Sequence, residues 1–171
     1  MTIPLICHFL IGPPGCGKST FANLLTQYSE AKIISTDKIR LSLFGDESIQ
    51  GDWSLIEEKV ITQIHNYIIS EKPVIYDATN VKKEWRCSLL KQVNNQNVKW
   101  IAWYLQTPLE ICKKWNKKRN RQVPEEVIEA LFRSLQANIP ERSEGFVAVN
   151  VVDVWSRKWE VKDIKDRLYI N

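Results

Sequence analysis

Between residues 12 and 20 the chain reads GPPGCGKST. Glycines at Gly12, Gly15 and Gly17, the lysine Lys18 and the hydroxyls of Ser19 and Thr20 fit the pattern G-x-x-x-x-G-K-[ST], whose chemistry is to wrap a polyphosphate. Glycine lets the backbone fold closely and turn its N–H groups inward. A helix starting at Lys18 adds the positive end of its dipole. In this pattern the lysine reaches the β and γ phosphates and the Ser19 hydroxyl meets Mg²⁺. Pro13 and Pro14 restrict the loop. Cys16 inside it reads as a small tolerated side chain rather than a redox control point. The stretch predicts a nucleoside-triphosphate site formed by Gly12, Pro13, Gly15, Cys16, Gly17, Lys18, Ser19 and Thr20. It does not separate a kinase from a switch or a motor.

Three further stretches hold residues with chemical potential. STDKIR, residues 35–40, sets Asp37 and Arg40 one helical turn apart, on one face. Aspartate suits the orientation and deprotonation of an attacking hydroxyl, and arginine suits an anionic acceptor. The competing structural reading is that Ser35, Thr36 or Asp37 caps a helix. YDATN, residues 76–80, offers Asp77 beside a Mg²⁺ and Asn80 either toward substrate or as a cap. KKWNKKRNRQVP, residues 113–124, is a basic strip around Trp115.

Hydrophobic periodicity supplies the elements that would hold these stretches. Ile3–Ile11 is a continuous apolar run, as in a strand buried on both faces. Lys18–Tyr28 has helical spacing. Strands are expected at Ala31–Ile34, Pro73–Tyr76, Val98–Leu105 and Phe146–Trp155, and helices at Asp37–Phe44, Trp53–Ser70, Val81–Val93 and Glu160–Tyr169. Pro108 stands as a first-turn proline opening a helix through Lys118. Pro124 opens another, with Val127, Ile128, Leu131, Phe132 and Leu135 inward. This alternation predicts one α/β domain over residues 1–171, a doubly wound parallel five-stranded sheet. The GPPGCGKST loop after its first strand makes the expected type a P-loop NTPase or kinase fold, and the basic strip after the fourth strand makes an expected helical lid at about 108–138. Ligands in such folds sit beyond the carboxyl ends of the strands, where the first three stretches fall.

Bulk properties set the outer limits. The chain has 171 residues, 26% charged and 44% hydrophobic, enough for one sizeable core. A net charge of +4 weakly favours an anionic partner. Four cysteines without a CxxC pair, and only two histidines, argue against a zinc site. No leader pattern opens the sequence, and no apolar run nears the roughly 20 residues a bilayer span needs. A reduced, cytoplasmic setting without membrane contact is expected. His8, Trp100 and Trp103 read as core residues, and Arg133 as ordinary surface.

Taken in order, GPPGCGKST, STDKIR, YDATN and NKKRNRQVP resemble the P-loop polynucleotide 5′-kinases of the phage and bacterial end-healing type, over roughly Leu5 to Leu135. The resemblance implies transfer of the γ-phosphate of ATP, with Mg²⁺, to a 5′-hydroxyl of RNA or DNA. Under it Lys18 and Ser19 hold phosphates and metal, and Asp37 is the general base. Arg40 holds the phosphate on the 3′ side of the reacting nucleotide, and Asp77 is the supporting acid near the metal. Arg119 is the lid arginine on the donor phosphates, with Arg121 beside it. Relatives commonly carry a second lid arginine where this chain has Trp115, which would either stack on a base or pack the lid. Family habit also suggests a separate phosphatase or ligase partner. Two alternatives stay open: a similarly built kinase for a nucleoside, sugar acid or antibiotic, and a P-loop ATPase module serving another protein.

Overall fold

The structure is a computed structural model that describes residues 3–156 together with Ile164, Arg167 and Leu168. The elements run β1 (Leu5–Ile11), α1 (Lys18–Ser29), β2 (Lys32–Ser35), α2 (Thr36–Phe44), α3 (Trp53–Ile69), β3 (Val74–Asp77), α4 (Lys83–Val93), β4 (Val98–Leu105), α5 (Leu109–Asn116), α6 (Glu125–Gln136), a 3-10 turn (Arg142–Glu144) and β5 (Ala148–Val152). The helix expected over Glu160–Tyr169 lies mostly outside the described residues.

The sheet is five-stranded and wholly parallel, in the order β2-β3-β1-β4-β5. Its central strand explains the apolar run of the sequence. Cys7, Phe9 and Ile11 face a core built with Ile56, Val60 and Ile64 of α3 and Leu89, Leu90 and Val93 of α4. Leu10 faces the opposite core, with Phe21, Ala22 and Leu25 of α1 and Cys112 of α5. Side chains alternate along a strand, so covering both faces demands an unbroken apolar sequence.

Trp100 and Trp103 are fully buried, on opposite faces of β4. Trp103 donates from Nε1 to Nδ1 of His8 at 3.1 Å. Burial pushes the His8 ring down to about 4, so it stays neutral within the core.

Some boundaries differ from expectation, for local reasons. β5 stops at Val152 because its partner stops at Leu105, the residue opposite it. Pro108 and Pro124 are the capping residues before their helices, with extended ψ of 144° and 138°, not the first helical residues. Val127 was expected inward but is 41% exposed, leaving Ile128 and Leu135 as the fully buried positions of α6.

Candidate active site

The loop after β1 is fixed from several sides. Gly12 donates its N–H to the Thr79 carbonyl at 3.0 Å. The Thr107 hydroxyl, beyond β4, donates to the Cys16 carbonyl at 2.8 Å. Gly15 and Gly17 have φ of 79° and 98°, the region that glycine enters without strain. A Cβ at Gly15 would strike the Cys112 carbonyl, and one at Gly17 would stand 3.3 Å from the Trp115 ring. Gly17 also caps α1, without a side-chain bond and without an acidic residue in the first turn, so the first N–H groups remain available to an anion. Lys18 donates from Nζ to the carbonyls of Gly12 and Pro13, both at 2.9 Å.

Pro14, Gly15, Gly17, Lys18, Ser19 and Thr20 line the cleft; Gly12, Pro13 and Cys16 are buried and shape the loop from behind. Burial pushes the Cys16 thiol up, against the effect of nearby Lys18, which makes it inert.

At the end of β3, Asp77 is 7% exposed and accepts from the Ser19 hydroxyl at 2.9 Å. Desolvation holds its carboxyl above the usual carboxylate range, with Lys18 and the Ser19 bond opposing. A hydroxyl and a carboxylate in contact beside a phosphate loop form an oxygen donor set of the kind Mg²⁺ takes together with substrate phosphates. Asn80 does not cap α4, whose cap is Lys82. Its Nδ2 donates instead to the Leu10 carbonyl at 2.7 Å, tying the loop after β3 to β1 while it borders the cleft.

The capping ambiguity in STDKIR is resolved at Ser35, whose Oγ accepts from the Lys38 N–H. Asp37 therefore has its carboxylate free for other work. Its Oδ1 accepts from Arg40 Nη1 at 3.1 Å, and Arg121 Nη1 stands at the same distance from that oxygen. Arg121, expected at the donor phosphates, pairs here with Asp37. The Nε of Arg40 is buried without a partner.

In the lid strip, Lys113 pairs with Glu129 at 2.6 Å and Lys117 with Glu125 at 2.9 Å, joining α5 to α6. Trp115 lies against Gly17 and also borders the cleft. Lys118 lines the cleft as well. Arg119 lines it too, and among the described residues its guanidinium makes no hydrogen bond or ion pair, though its charge is felt at Asp77. Asn116 is buried and clasps the strip: Nδ2 donates to the Val123 carbonyl at 2.8 Å, and Oδ1 accepts the Val123 N–H at 3.0 Å.

Lys18, Ser19, Asp37, Arg40, Asp77, Asn80, Trp115, Lys118, Arg119 and Arg121 all border one cleft of about 1150 Å³. It is also lined by Trp53, Glu57, Trp85, Val127 and Leu131, to which the sequence reading assigned no site role. Arg86 also escaped notice: it is fully buried, clamps Glu144 at 2.6 and 2.8 Å, and donates to the carbonyls of Asn80, Val81 and Asn138. It anchors the chain just past Asp77. Asp52 ahead of Trp53 was a readable cap signal; nothing local marks Arg86, Thr107 or Asn116.

Comparison with known proteins places this geometry. A family model described as an AAA domain matches residues 7–141. An L-seryl-tRNA(Sec) kinase of Methanococcus maripaludis is 30% identical over 133 residues, covering 72% of this chain and 49% of the relative, so the chain spans about half the length of that curated relative. Among solved structures, a Chloroflexus aurantiacus protein superposes with a TM-score of 0.76 at 14% identity, covering 98% of this chain and 95% of the other. A chain of the Pnkp1/Rnl/Hen1 RNA repair complex gives 0.71 at 23% identity, covering 80% and 45%. The loop that cradles phosphates, the parallel sheet behind it and the matched span agree: the chain belongs to the AAA domain family and has the P-loop kinase fold.

Proposed function

We propose that this chain is an ATP- and Mg²⁺-dependent kinase that phosphorylates the 5′-hydroxyl end of RNA or DNA. The observation carrying this reading is the pair Asp37 and Arg40, joined at 3.1 Å in the same cleft as the phosphate loop, with Ser35 taking the capping duty. Similarity to a seryl-tRNA kinase and to a chain of an RNA repair complex favours an RNA-borne hydroxyl.

In this reading Gly15, Gly17 and Lys18 hold the donor phosphates, and Ser19 and Asp77 hold the metal, which neutralises charge on the donor. Asp37 accepts the proton of the acceptor hydroxyl as its oxygen attacks the γ-phosphorus and the bond to the departing diphosphate breaks. The Oδ2 of Asp37 accepts no hydrogen bond among the described residues, which leaves an oxygen for that proton. Arg119 meets the charge on the transferred group, and Arg40 an acceptor phosphate.

The test is an acceptor panel with labelled ATP and Mg²⁺: 5′-hydroxyl RNA, 5′-hydroxyl DNA, nucleosides, sugar acids and small alcohols. Label on an oligonucleotide 5′ end is the expected result. Label on small acceptors alone would replace the polynucleotide reading, and free phosphate alone would point to an ATPase module. A separate phosphatase or ligase partner remains part of the proposal, and co-purification tests it.

A further inference from the structure

The cleft contains a pairing that phosphate binding does not explain. Trp53 opens α3, remains 46% exposed and lines the cleft. Glu57 follows four residues later, so the two side chains share one helical face about 5–6 Å apart at Cβ, and Glu57 lines the same cleft. Glu57 is half-buried, and among the described residues no hydrogen bond or ion pair engages it. A carboxylate of this kind repels phosphate. It has a use when the ligand brings N–H donors.

The wall is rigid enough to recognise shape. Asp52 accepts the Ser54 N–H at 2.9 Å and caps α3. Phe44 packs against Gly51, whose φ of 58° turns the chain into the helix. Ile56, Val60 and Ile64 fix the inner face of α3. Arg40, Lys118 and Arg121 line the same cleft and complement backbone phosphates. Lys82 stands 4.8 Å from the Trp85 ring centroid, adding a cation beside a second half-exposed tryptophan of the cleft.

We propose that Trp53 and Glu57 form a nucleobase subsite in which the indole stacks on a base at the acceptor's 5′ end and the carboxylate reads its edge. Guanine fits best, because its N1–H and N2–H are adjacent donors that match the two oxygens of a carboxylate. Adenine and cytosine offer one donor group beside an acceptor, and uracil one donor between two acceptors. The inference rests on the acceptor being a nucleic-acid end.

The experiment uses the full chain and short 3′-labelled 5′-hydroxyl oligonucleotides that differ only in the first base: guanine, hypoxanthine, adenine or uracil. Binding is read by anisotropy, and phosphoryl transfer is measured in parallel. Guanine ends should bind several-fold more tightly than hypoxanthine ends, which lack the N2 donor. Glu57→Gln should erase that difference. Trp53→Ala should weaken every oligonucleotide by about tenfold, the lower range of base stacking, and Trp53→Phe should recover most of it. ATP binding should be unchanged in each variant. Equal binding of all four ends by the unmodified chain overturns the subsite without any variant. Transfer to all ends with no base dependence sinks the subsite and leaves the kinase reading intact. Guanosine binding that depends on Glu57, with no oligonucleotide binding or labelling, keeps the subsite and removes the polynucleotide reading. Binding of neither overturns both.

Discussion

Two arginine–carboxylate clusters, Arg86–Glu144 and Asp37–Arg40–Arg121, are built differently. Arg86 and Glu144 are both fully buried at the side chain, and each guanidinium nitrogen of Arg86 has a partner. Asp37, Arg40 and Arg121 crowd two guanidinium groups onto one oxygen of a carboxylate that is 37% exposed, and the Nε of Arg40 has no partner. A closed network leaves a ligand nothing to bind, whereas an open one has capacity to spare. The first therefore holds shape, and the second has donors left over for a ligand.

The contrast can be broken by mutation, and the largest effect belongs to the open side. Arg119→Ala should lower phosphoryl transfer by roughly 10³ or more with little change in melting temperature; steady-state kinetics and calorimetry on one preparation decide this. Glu144→Ala should do the reverse, removing about 3–5 kcal/mol of stability by stranding a buried guanidinium, as read by denaturant unfolding. Replacing both Arg86 and Glu144 with leucine should recover much of that loss, which separates charge stranding from simple cavity formation.

Asp77 lies between the two extremes. Its carboxyl is raised by burial, so the folded state binds a proton more readily than the unfolded chain does. Stability therefore falls as pH rises through the window above the ordinary aspartate value. At neutral pH the charge costs stability, and Asp77→Asn should raise it by about 0.5–2 kcal/mol while abolishing Mg²⁺-dependent transfer. An unchanged or lowered melting temperature would show that the Ser19 bond outweighs desolvation. The smallest effect is expected at Lys117, whose pair with Glu125 is exposed on both sides. Lys117→Ala should shift stability by less than about 0.5 kcal/mol, and a larger shift would make this pair part of the lid's framework.

The sequence was most readable where chemistry and local structure coincide. GPPGCGKST carries its own glycines, and the apolar run before it required a strand covered on both faces. Asp37 was ambiguous because Ser35, Thr36 and Asp37 can all cap, and only the observed bond to Ser35 separates them. The ion pairs of Arg121 and Glu144 could not be read, since their partners Asp37 and Arg86 lie far along the chain. Spacing along a helix reports neighbours one turn away, not which loops the sheet brings together. The same holds for Trp53 and Glu57: the helix was evident, but not that its exposed first turns would border the cleft.

Trp115 and Asn116 carry one more consequence, a mechanical one. With the Trp115 ring seated on Gly17, and Asn116 both bonded to Val123 and beside Gly15, α5 is welded to the phosphate loop. What remains to bend is the bight 117–122, pinned at its two ends. A short loop with fixed ends has little chain entropy left to lose, so drawing Arg119 and Arg121 onto a bound nucleotide should demand only a small ordering cost and no swing of a helix.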